Sequence, residues 1–198
     1  MRASLALLAL AATAGAQPSA NHGFDGPPPP VPPAVLARDE AGRVTMRAVR
    51  LERPLAVDGV LDEDVYARVP SASDFIQQEP HEGRPATEKT EVWVFFDDDS
   101  VYFAARCWDS HPDKIVATEM RRDHYNIFLN DNFGVALDTF HDRRNGFVFQ
   151  TNPLGGLREG FVMDERNPNY DWSTIWRSRS ARFDQGWTLE MAIPFKSL

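Results

Sequence analysis

The sequence predicts an all-β protein, an antiparallel and jelly-roll-like β-sandwich with one short helical turn near residues 61–67. Three observations carry this expectation. In the segment 186–198, Trp187, Leu189, Met191, Ile193 and Phe195 fall at every second position, the period that lays large apolar side chains on one face of a strand. Short runs rich in Val, Phe, Tyr and Trp recur from residue 46 onward with polar turns between them. Helical periodicity, by contrast, is scarce. Many short strands with one apolar face each pack as two sheets, a barrel being the alternative closure.

The N-terminus stands apart from this pattern. Arg2, the apolar run from Leu5 to Ala12 and the small residues Ala14-Gly15-Ala16 make residues 1–16 a signal peptide, and export to the periplasm, cell surface or medium is expected. The run is shorter than the ~20 residues that span a bilayer. Residues 17–43 read as a Pro-rich linker, because Pro27-Pro28-Pro29-Pro30-Val31-Pro32-Pro33 favours extended polyproline II and offers no apolar face. Residues 44–198 are left for the sandwich, enough for one domain with a full core.

Within that part the strand expectations run in order. Residues 46–51 come first, then 90–96 and 101–108 as a hairpin turning through Asp97-Asp98-Asp99-Ser100. Residues 115–120 offer a further strand, and 133–139 with 146–151 a second hairpin through 141–145. Residues 157–163, 174–180 and 187–193 complete the set. Asp62, Glu63 and Asp64 suit the start of the helical turn, where partial positive charge collects. The strand 187–193 meets Pro194 and the chain stops at Leu198, so we expect the N-terminal part of a longer protein.

Composition excludes some functions. With 29 acidic against 21 basic residues the formal net charge is −8, which argues against a nucleic-acid partner. Cys107 is the sole cysteine, so no intramolecular disulfide forms. There is no G-x-S-x-G elbow, H-E-x-x-H pair or P-loop, and His81, His111, His124 and His141 lack ligand spacing.

Three blocks resemble one family. Leu55-Ala56-Val57-Asp58-Gly59-Val60-Leu61-Asp62-Glu63 resembles the opening of family 9 carbohydrate-binding modules, with Tyr66 in place of the usual Trp. Residues 135–139 with 145–156 are similar to that family's central hairpin and its Asn-Pro-x-Gly end. Asp171-Trp172, Trp176 and residues 186–195 resemble its closing block. The likeness covers residues 47–198 in the family's order. It implies a sandwich that binds a polysaccharide or oligosaccharide non-covalently, in an exported protein of carbohydrate catabolism. A narrower likeness is to secreted bacterial proteins in which this domain precedes a region like an outer-membrane β-barrel. Two alternatives follow: a portion of a glycoside-hydrolysing enzyme, or a structural periplasmic or surface domain seated on such a barrel. The expected partners are a glycan and a barrel or catalytic domain of the same polypeptide.

Sugar recognition asks for ring faces to stack on C–H groups and planar polar groups to meet hydroxyls. Trp172, beside Asp171 in a loop, is the leading platform, with Tyr170, Trp176 and Trp108 as further rings and core packing as the competing reading of the tryptophans. Arg121, Arg122, Asn130-Asp131-Asn132, Asn152 and Arg158-Glu159 are the polar candidates, against internal ion pairs or solvated loops. No cofactor is required. Asp138, Asp142 and Asn145 offer hard oxygen ligands to calcium, although hairpin turns favour the same residue types for backbone reasons.

Overall fold

The computed structural model describes residues 26–198, so the expected signal peptide, residues 1–16, and the first part of the expected linker lie outside the described residues. Strands β1 (Leu36–Arg38), β2 (Val44–Met46) and β3 (Val49–Arg50) precede helix α1 (Asp64–Arg68). Then come β4 (Thr90–Phe96), β5 (Ser100–Trp108), β6 (Phe133–Leu137), β7 (Gly146–Thr151), β8 (Leu157–Val162), β9 (Arg177–Phe183) and β10 (Gly186–Pro194). A five-stranded sheet has the order β3-β4-β5-β10-β9, a three-stranded sheet the order β6-β7-β8, and β1 and β2 form a separate hairpin. Every pairing between these strands is antiparallel except that of β3 with β4.

Strand β10 shows why the two sheets close. Its odd-numbered residues Trp187, Leu189, Met191 and Ile193 join Val92 and Phe103 of the large sheet, Phe147 and Phe149 of the small sheet, and Trp176 in one core. Each fully buried side chain of this kind contributes about 1.5–3 kcal/mol. The even-numbered side is covered too. Leu51, Leu55 and Tyr66 lie over Trp93, Phe95, Tyr102, Ala104 and Ala192 in a second core on the opposite face of the large sheet. Residues 186–193 are consequently all buried.

A polar lock joins that outer layer to β10. Glu190 is fully buried, and its Oε2 accepts from the backbone N–H of Asp58 and of Gly59 at 2.9 Å each. Its Oε1 accepts from the Tyr66 hydroxyl at 2.6 Å. Burial raises the Glu190 pKa above the ordinary carboxylate value, and these hydrogen bonds offset only part of that. Thr188 donates to the Gly59 carbonyl at 2.7 Å. Gly59 has φ +88°, and a Cβ there would stand 2.9 Å from the Ser180 backbone, so only glycine lets this loop lie so close to β9.

Several expected boundaries move. Residues 36–38, inside the expected linker, pair with β2, and Val35 is buried. The 46–51 strand divides between the ends of β2 and β3. The helical turn begins only at Asp64, after an extended Glu63. Residues 115–120 are not a strand. Their amides go to side chains instead: Val116 to Asp131 Oδ2 at 2.6 Å, Thr118 and Glu119 to Asn130 Oδ1 at 3.0 and 3.1 Å. The expected 174–180 strand starts three residues later, at Arg177.

Candidate functional site

The outward face of the small sheet has the features of a ligand platform. Phe147 and Phe149 point into the core, so alternation turns Val148 and Gln150 outward. Register sets Gly134 and Arg158 on either side of Gln150, and Ala136 and Gly160 on either side of Val148. Gly134 and Ala136 leave the β6 side of this face a low, exposed floor, Gln150 stands beside them, and Arg158 on β8 is largely buried.

Aromatic rings flank this floor. The bridge between Phe161 and Asn169 runs the chain along the edge of β8 and brings Tyr170 over Gly160, where a Cβ would meet the ring at 3.0 Å. The Arg158 guanidinium lies 3.5 Å from the Tyr170 ring centroid and 5.9 Å from that of Tyr125, and its Nη1 donates to Gln150 Oε1 at 3.1 Å. Tyr125 belongs to a 3-10 helix, Tyr125–Leu129, that is capped by His124 and anchored by fully buried Ile127. The same turn leaves Tyr125 60% and Phe128 54% exposed, their centroids 6.4 Å apart. Exposed rings beside planar donors and acceptors are suited to an amphipathic, hydroxyl-rich ligand.

Of the residues expected from sequence, Tyr170 belongs to this face. Trp172 is half-buried, 4.9 Å from Phe147 and 6.4 Å from Phe161, and packs at the edge of the core, the reading that competed with a platform. Trp176 is buried in that core. Its indole N–H donates at 2.9 Å to Glu159 Oε2. Trp108 lies on the large sheet, where it lines an open cleft of about 430 Å³ with Glu88, Lys89, Ser110 and Gln185. Its ring sits edge-on to Phe183 at 5.2 Å.

The polar candidates are mostly framework. Arg122 pairs with fully buried Glu159 and donates to the Thr174 carbonyl at 2.6 Å. Burial pushes the Glu159 pKa up, but the bonds from Arg122, Trp176, Ser173 and Thr174 outweigh it and leave the carboxyl below its ordinary value. Asn152 is fully buried and Asn130 nearly so. Asn152 Nδ2 donates to Asn130 Oδ1 at 2.9 Å and to the Glu119 carbonyl at 2.6 Å, while its Oδ1 accepts from Leu154 and Gly156. Arg121 is clamped on Glu119, its Nη2 at 2.7 Å from Glu119 Oε2, and with that bond first among the causes the Glu119 pKa is held at about 2.

The calcium candidates are likewise engaged in a turn. Asp138 accepts the Asp142 and Arg143 amides, and Asp142 accepts those of Arg144 and Asn145 together with the Asn145 side chain. Among the described residues no group of three or more His, Cys, Asp or Glu is gathered for a metal.

Sequence reasoning named Arg158 among the polar candidates but missed Tyr125, Phe128 and Gln150 as its neighbours on one face. The strand alternation held the signal for Gln150 and Arg158. The 3-10 turn has no periodicity that would have exposed the two rings.

A model of the carbohydrate family 9 binding domain-like family matches residues 57–198, from the Asp58-Gly59 lock through β10. The chain belongs to that family. Family 9 architecture also appears in solved structures. The chain is similar to a family 9 carbohydrate-binding module from Caldicellulosiruptor kristjanssonii in complex with glucose, at TM-score 0.53 and 16% identity over 75% of this chain and 68% of that one. It resembles the cellotriose complex of such a module from the same organism at TM-score 0.51 and 16% identity, over 74% and 66%. At that identity the likeness speaks for the family 9 fold. No curated protein matches the chain.

Proposed function

We propose that this domain binds a saccharide non-covalently on the outward face of the small sheet, and that it has no catalytic role of its own. The observation that carries this reading is the pair of exposed rings, Tyr125 and Phe128, beside an open floor of Gly134 and Ala136, with Gln150 next to it and Arg158 largely buried under Tyr170. Sugar C–H groups stack on the rings while hydroxyls reach the amide and guanidinium. Family membership supports it, as do the glucose and cellotriose held by the related modules. The wider reading is an exported protein of carbohydrate catabolism in which this domain presents a glycan to a catalytic or outer-membrane partner in the same polypeptide.

Calorimetric titration with cello- and xylo-oligosaccharides tests the proposal. Saturable binding that Tyr125→Ala and Gln150→Ala weaken is expected. Absence of any heat at millimolar sugar overturns it. One competing reading has support at the same turn: Tyr125, Phe128 and Leu129 of the 3-10 helix are 54–60% exposed, an apolar group that would also suit docking onto a neighbouring domain. Under that reading the titrations are silent.

A further inference from the structure

We infer that the saccharide taken by the outward face carries a carboxylate, as uronic acids do, and that Arg158 is the residue that reads it. The inference rests on the reading of this face as a saccharide site. Arg158 is 6% exposed, so its cation has been taken largely out of water. Buried charges are ordinarily paired. Even the more exposed arginines nearby are paired: Arg122 has Glu159, and Arg121 has Glu119. Arg158 has no carboxylate partner among the described residues. Its contacts are the Tyr170 ring at 3.5 Å, the more distant Tyr125 ring and one neutral acceptor, Gln150 Oε1.

The unused donors are the second half of the argument. Nη1 carries the guanidinium's one hydrogen bond, and the buried Nε has no partner at all. A buried N–H left unpaired costs about 1–3 kcal/mol, more when the group is charged. The guanidinium presents its donors in a planar fork that matches the two oxygens of a carboxylate. Tyr170 fixes the plane of that fork by stacking on it, so the group is oriented before any ligand arrives. A neutral sugar can offer hydroxyl oxygens to the fork but leaves its charge unmatched, whereas a uronate meets the charge and the fork together. The acidic body of the protein opposes this only weakly, since its exposed charges are screened beyond about 8 Å at physiological ionic strength.

The decisive comparison needs no mutation. A trigalacturonate and its methyl ester present the same ring shape with and without the charge, and cellotriose serves as the neutral control, all titrated calorimetrically at pH 7. The acid is expected to bind about tenfold or more tighter than the ester, the scale of one charge-assisted pairing. Arg158→Gln is expected to erase that difference, so that acid, ester and cellotriose bind with one common, somewhat weaker affinity; the acid-to-ester ratio is the readout, and a ratio that survives the substitution overturns the role of Arg158. Equal affinity for acid and ester in the wild-type protein overturns the inference while leaving the saccharide face intact. Failure of all three sugars to bind overturns the face itself, and the inference with it. If Arg158→Gln fails to fold, the wild-type comparison alone decides.

Discussion

Gly59 and Glu190 are 131 residues apart, yet the Gly59 amide donates to the Glu190 carboxylate at 2.9 Å, a bond that ties the outer layer to the central strand. Tyr66 completes the arrangement from α1, its hydroxyl 2.6 Å from the other carboxylate oxygen. The family's opening motif is thereby explained as a lock on β10, with Tyr66 supplying the ring and the donor. Tyr66→Phe keeps the ring contacts with Trp93 and Phe95 but removes the donor from a buried carboxylate. We expect a loss of roughly 1.5–3 kcal/mol, read in urea unfolding as a lower midpoint at unchanged m-value.

Arg122 is expected to matter for stability and not for ligand. Arg122→Met strands Glu159, which is fully buried. Removing one partner of a buried pair costs 3–5 kcal/mol, and because the arginine side chain is 41% exposed the expected loss is smaller, about 2–3 kcal/mol. Denaturant unfolding measures it. Saccharide affinity of the folded variant should match wild type, and a selective loss of affinity without loss of stability would return Arg122 to the site.

Acid should act through Glu119. Its folded pKa of about 2 lies below the ordinary 4.5 because of the Arg121 hydrogen bond. A depressed carboxyl contributes stability that is present above pH 4.5 and lost as pH falls from there toward 2. Unfolding midpoints measured from pH 6 down to pH 2.5 should fall for the wild type. In Glu119→Gln, which starts lower at pH 6, the fall over the same window should be shallower.

Trp172→Ala is expected to loosen the core edge. Its half-buried ring packs on Phe147 and Phe161, so the expected loss is about 2 kcal/mol, below the 3–5 of a fully buried aromatic. Thermal unfolding reads the change, and affinity for the sugar should stay as it was.

These contrasts show where the sequence was legible. Alternation in residues 186–198 announced the central strand, because Trp187, Leu189, Met191 and Ile193 all face one core. The same alternation concealed the second core, since Thr188 and Glu190 look like a solvent face until the loop carrying Gly59 covers them. Residues 115–120 were misread for a related reason: their β-favouring side chains are real, but Asn130 and Asp131 accept their amides. Trp172 drew attention as a loop tryptophan, yet a loop can close a core edge as readily as carry a site. Tyr125 and Phe128, in a 3-10 turn without period, gave no such sign.

The outward face yields the prediction that separates binding from folding most cleanly. Ala136 is exposed on β6, and Val148 is its partner across the ladder on β7. A tryptophan there fills the floor without entering the core, so Ala136→Trp should abolish saccharide binding while changing stability by no more than about 0.5 kcal/mol. Tyr125→Ala removes a ring that is 60% exposed, and should weaken affinity about tenfold, roughly 1.4 kcal/mol. Both are checked by calorimetric titration alongside urea unfolding of the same samples. Full affinity in Ala136→Trp would move the ligand off the small sheet, and the Trp108 cleft on the large sheet would be the next surface to block.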